Sequence, residues 1–68
     1  MNFKELRERR KLAVNEASTL LQVYPQTIWR YESQHRVPKT EVLKKMLEVY
    51  KCSEKELGQA IITNVKEE

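Results

Sequence analysis

Gln26, Trp29, Arg30 and Ser33 recur at steps of three and four, which places them on one side of a helix. Their groups suit recognition rather than bond-making. An amide can read a nucleobase edge, an indole can press on a flat surface, and a guanidinium can grip a base or a phosphate. Ile28, Tyr31 and Glu32 fall on the opposite side, which can pack. Pro25 suits the first helical position, where its missing N–H would have no intrahelical partner. The resulting helix, about Pro25 to Glu32, can lie in a groove but is too short to stand alone. The other elements must hold it.

Those elements read as helices. Asn2 and Glu5 form a capping box ahead of a first helix from about Phe3 to Lys11, with Phe3, Leu6 and Arg10 on one face and Arg7 beside it. Two apolar residues make a thin stripe, so this helix is expected to close the core rather than centre it. A second helix, roughly Val14 to Gln22, should bury Ala17, Leu20 and Leu21, with Ser18 small enough for a neighbour to approach. Ala13 is a poor cap for it. Only about three residues then precede Pro25, and so short a turn makes the two helices cross steeply, as in a helix-turn-helix.

Ser33 to Pro38 reads as a polar loop. A fourth helix from about Thr40 to Lys51 carries Leu43, Met46, Leu47 and Tyr50 at i, i+3, i+4 and i+7, the cleanest amphipathic stripe in the chain and the expected main core helix. Ser53 and Glu56 form a second capping box before a fifth helix bearing Leu57 and Ile61. Gly58 within it suggests close packing or fraying. The domain is expected over residues 1–62, followed by a charged tail, 63–68, that is either disordered or covers a partner subunit.

With 68 residues and 40% apolar content, the chain can build one small core. One Gly, two Pro and the absence of apolar–polar alternation point to an all-α bundle. The single Cys52 excludes an internal disulfide and is too few for a zinc finger; it reads as a small buried hydrophobe. His35, the one histidine, reads as a solvated loop residue and has no second histidine for a metal site. No apolar run is long enough to span a membrane and no leader is visible, so a reducing, cytoplasmic location is expected. The ten acidic residues are all Glu, and no acid–base pair or phosphate-cradling Gly loop stands at motif spacing, which argues against an enzyme, a metal or a cofactor. The net charge of +3 is unevenly spread. Residues 1–39 carry eight Lys/Arg and four Glu, whereas residues 40–68 carry five Lys and six Glu. That asymmetry fits a polyanion partner for the first half, or an ordinary solvated surface.

Leu6-Arg7, Ala17-Ser18, Leu21, Val23, Thr27-Ile28, Glu32, Pro38, Leu43, Met46, Tyr50, Cys52-Ser53 and Leu57 stand at a joint spacing that resembles the lambda-repressor-like, Cro-type helix-turn-helix family. The resemblance implies a compact bundle of five helices that binds operator DNA, usually as a two-fold dimer, to regulate transcription. It also implies that Arg7 pairs with Glu32, fastening the third helix to the scaffold; the alternative is two independent solvated charges. By family position Pro25, Gln26, Trp29 and Arg30 face the major groove. Gln26 could bond adenine, Arg30 guanine or a phosphate, and Trp29 thymine methyls or deoxyribose, unless its ring covers the scaffold.

Asn15, Thr27, Ser33, Arg36 and Lys39 are the candidate contacts to the DNA backbone, chosen over Arg9, Arg10 and His35. Departures from the family pattern are also visible. Val14 stands where a phosphate-gripping Gln is common, so Asn15 would substitute. Gln22, Gln34 and Lys51 stand where Gly is usual, and Gln22 is expected to accept a left-handed conformation. The leading expectation is a double-stranded DNA-binding regulator acting as a homodimer. The alternative is a protein-interaction module of the same fold, an antitoxin or a regulator's partner, with Tyr24, Trp29 and Ile62 as its surface.

Overall fold

The computed structural model describes residues 1–66; of the tail, Glu67 and Glu68 lie outside the described residues. The chain forms α1 (Phe3–Arg9), α2 (Val14–Leu21), α3 (Pro25–Ser33), α4 (Thr40–Val49) and α5 (Glu54–Lys66), with no strand among the described residues. The fold is thus the expected all-α five-helix bundle containing a helix-turn-helix. Its radius of gyration is 10.5 Å, close to the roughly 11 Å that a folded chain of this length should have.

Four of the five helix starts have a visible local cause; α4 follows Lys39 without a side-chain cap. Asn2 accepts from the Glu5 N–H at 2.8 Å, and Glu5 accepts from the Asn2 N–H at 3.2 Å. Ser53 and Glu56 make the same reciprocal pair at 3.1 and 3.0 Å. Ala13 offers no side-chain acceptor, so α2 begins on half a box: the Glu16 carboxylate accepts from the Ala13 N–H at 3.0 Å. Pro25 occupies the first turn of α3.

The ends share a device that composition hides. Lys11, Gln22, His35 and Lys51 all adopt positive φ, between 48° and 59°, with no glycine among them. After α1 and α2 the turn closes by paired bonds, Leu12 N–H to the Arg7 carbonyl with Lys11 N–H to Glu8, and Val23 N–H to Ser18 with Gln22 N–H to Thr19. After α3 the left-handed residue is His35, while Gln34, the residue in the glycine position, stays at φ −113°.

Alpha-helix α2 packs most closely on α3 and α4, while α1 contacts α3 and α5. Phe3, Leu6, Ala17, Leu21, Ile28, Tyr31, Met46, Tyr50, Cys52, Leu57 and Ala60 form the core. Several expectations are corrected here. Leu20 is 53% exposed, not buried. Ala17, Ser18 and Leu21 form the buried face of α2 instead, and Leu20 lies outside that stripe. Helix α1 is more central than its thin stripe suggests. Leu6 is fully buried, and the Phe3 ring meets Tyr31 at 6.3 Å between centroids. On α4, Leu43 and Leu47 are only half-buried while Met46 is enclosed. Gly58 is not a close-packing site, because a Cβ there would meet no atom within 4 Å. The fifth helix runs on through Lys66, with Asn64 buried.

Candidate nucleic-acid interface

The nine residues of α3 span about 13 Å at the α-helical rise, close to the roughly 12 Å width of a B-DNA major groove. Ile28 and Tyr31 root it in the core at 1% and 4% exposure. Gln26, Trp29, Arg30 and Ser33 all stand exposed on the outer side, and Trp29 is open over half its surface. The remaining, nearly half, of its surface lies against the scaffold. Gln26 and Arg30 make no hydrogen bond within the described residues through their side chains, which leaves both forks available to a ligand. Tyr24, at the cap position of α3, is 82% exposed and adds a phenol at the entrance of this face.

Behind the face sits a charged fastening. Arg7 on α1 donates to both oxygens of Glu32, Nε to Oε2 at 2.8 Å and Nη2 to Oε1 at 3.0 Å. Its remaining nitrogen, Nη1, donates to the Leu12 carbonyl at 2.8 Å. One guanidinium thus closes the α1 turn and holds the last turn of α3, with little solvent on either partner. The hydrogen bonds to Glu32 raise the Arg7 pKa, with burial opposing. Beside the pair, burial pushes the Tyr50 phenol far up, and the charge of Glu32 adds to the shift.

Of the candidate backbone contacts, Thr27 and Ser33 lie on α3 itself, Asn15 on α2, and Arg36 and Lys39 in the segment between α3 and α4. Asn15 is exposed on the first turn of α2, where its carbonyl accepts from the Ser18 and Thr19 hydroxyls at 2.8 and 3.0 Å. Thr27 is half-buried. Arg36 and Lys39 are exposed on either side of the buried Pro38. Burial raises the Tyr31 pKa, and the nearby charge of Arg36 acts against it.

Arg9, passed over as a backbone contact, is taken up elsewhere. It donates to both Glu56 oxygens on α5 at 2.5 and 3.2 Å and so does not face the α3 surface as a free cation. Two contacts had no sequence signal. The Lys45 ammonium donates to the Gln22 side chain at 2.6 Å, bracing the left-handed residue of the turn. The Asn64 amide donates to the Arg36 carbonyl at 2.9 Å, tying the loop after α3 to α5. Among the described residues no group of His, Cys or Glu side chains could hold a metal ion. No helix among them is long and apolar enough to cross a membrane.

An exposed face on the second of two helices joined by a turn of three residues, rooted by its opposite side, is the arrangement of the helix-turn-helix class. The chain matches the family described as helix-turn-helix domain over residues 2–60, nearly its whole length, and belongs to that family. This agrees with the lambda-repressor-like resemblance carried by the residues from Leu6 to Leu57. A helix-turn-helix domain suggests a DNA-binding regulator, and the family is typically non-enzymatic. No curated protein and no solved structure matches the chain.

Proposed function

We propose that this protein is a sequence-specific, double-stranded DNA-binding transcriptional regulator that sets α3 into the major groove of operator DNA as a homodimer in the cytoplasm. One observation carries the reading: Gln26, Trp29, Arg30 and Ser33 are presented together from a helix whose other side is buried and pinned by Arg7. In this reading Gln26 and Arg30 bond base edges, and Trp29 presses on thymine methyls or sugar. Asn15, Thr27, Ser33, Arg36 and Lys39 hold the phosphates and set the register without choosing sequence. Pairing of two copies draws its support from Ile62 and Val65, both about half exposed, and the half-buried Ile61.

Selection of bound sequences from a random DNA pool tests the proposal. The expected result is an enriched site with two inverted half-sites about one helical turn apart. An unenriched pool rejects DNA reading, and a single asymmetric site rejects the dimer.

The large exposure of Tyr24, together with that of Leu20 and Trp29, favours a second reading, docking of a protein partner on the same end of the bundle. Salt separates the two. Phosphate binding weakens steeply as salt rises, whereas apolar protein contact does not.

A further inference from the structure

Asn64 is a polar residue on the last described turns of α5, 5% exposed, and its amide reaches across 28 positions to the Arg36 carbonyl. An inward-facing amide is costly to bury unless it is bonded, so this position is built around the contact it makes. What it grips is the loop that presents Arg36. That loop leaves α3 through the left-handed His35, is crossed by a long bond from the Arg36 N–H to the Arg30 carbonyl at 3.3 Å, and is sealed by the buried Pro38. Arg36 is thus held through both of its backbone polar groups, to α3 through its N–H and to α5 through its carbonyl. Its side chain stays exposed, with no hydrogen bond among the described residues. A long cation on an anchored backbone loses less freedom on meeting a phosphate than the same cation on a loose loop. Asn64 lies beyond residues 2–60, the stretch the family match covers.

From this geometry we infer that Asn64 is a positioning residue for DNA backbone binding, acting through Arg36. The inference rests on the reading of Arg36 as a phosphate contact. Its own content is that the end of α5 sets how well that contact is made. Asn64 touches no DNA and should leave base preference untouched.

The test is a double-mutant cycle on DNA affinity, with Asn64→Leu, Arg36→Ala and the pair compared across a salt series on the selected operator. Asn64→Leu keeps the side-chain size while removing both donors, and Asn64→Ala serves if the leucine does not fit. The expected result is that Asn64→Leu weakens binding on every sequence tested and lowers the salt slope by up to about one, as Arg36→Ala does. In the Arg36→Ala background it should weaken binding no further. Amide exchange on the free protein reports the loop independently of DNA, and the Arg36 N–H should lose protection relative to the Leu6 and Met46 amides. If Arg36→Ala weakens binding and the Asn64 changes do not, or if the two effects add in full, the inference fails. If Arg36→Ala has no effect on a protein that binds DNA, the phosphate assignment falls and the inference falls with it. A wild-type chain that binds no DNA would reject the functional reading itself.

Discussion

At the scale of single residues, the protein separates groups that hold from groups that read. Arg7 and Glu32 hold. Both are mostly shielded from solvent and share two hydrogen bonds, so removing either leaves a charge without its partner. Glu32→Ala should destabilise the fold by about 3 kcal/mol, a large share of what a domain of this size possesses. A melting curve would show it as a drop well beyond 10 °C, and an unchanged midpoint would mean that the pair contributes nothing net. Gln26 and Arg30 have no such role inside the monomer. Gln26→Ala or Arg30→Ala should relax preference at particular operator positions, by ~1–3 kcal/mol each where the contact is bidentate, with the melting temperature nearly unchanged. Loss of the fold in either variant would show that the wrong side of α3 has been assigned to DNA.

At the scale of elements, the helices are well started and expensively finished. Capping boxes at Asn2 and Ser53 launch α1 and α5, but the turns after α1, α2, α3 and α4 each force a side-chain-bearing residue into the left-handed region. Each such residue costs roughly 1 kcal/mol. Lys51 makes no hydrogen bond within the described residues, so Lys51→Gly should recover up to about 1 kcal/mol. Gln22 is a poorer target because its amide receives Lys45. Within α5 the opposite change applies. Nothing stands within 4 Å of a Cβ built on Gly58, so Gly58→Ala should stabilise by about 0.8–1 kcal/mol through helix propensity alone. For so small a domain that is a rise of roughly 4–8 °C by calorimetry. A fall would reveal a requirement for glycine that the packing does not explain.

At the scale of the whole molecule, the bundle is closed by an ion pair between its first and last helices. The Arg9 hydrogen bonds, and then the Ser53 N–H, hold the Glu56 carboxyl down to about 2 from its ordinary 4.5. A carboxyl held below its unfolded value favours the fold above that unfolded value, and the advantage disappears as pH falls through the folded value. The melting temperatures of the wild type and Glu56→Gln should therefore differ most above about pH 4.5 and converge toward pH 2. A gap that persists at pH 2 would assign the effect to packing. The quaternary proposal makes its own numerical statement. With Arg36 and Lys39 from each of two protomers on phosphates, the log–log slope of affinity against salt should be about −4, and about half that for a monomer.

Much of this architecture was legible in the residues because it is local. Helix starts at Phe3, Val14, Pro25 and Thr40 follow from capping chemistry, proline geometry and apolar period, all properties of neighbouring residues. The outward side of α3 follows from the same periodicity, as does the count of five helices. What the chain order could not reveal was how far each helix rolls about its axis and which distant groups then meet. Leu20 lies outside, and the buried face of α2 falls on Ala17, Ser18 and Leu21. Left-handed geometry falls on His35 rather than Gln34, and Asn64 meets the Arg36 carbonyl across 28 positions. Contacts between residues dozens of positions apart depend on the packing of several helices together, and no spacing along one segment encodes that.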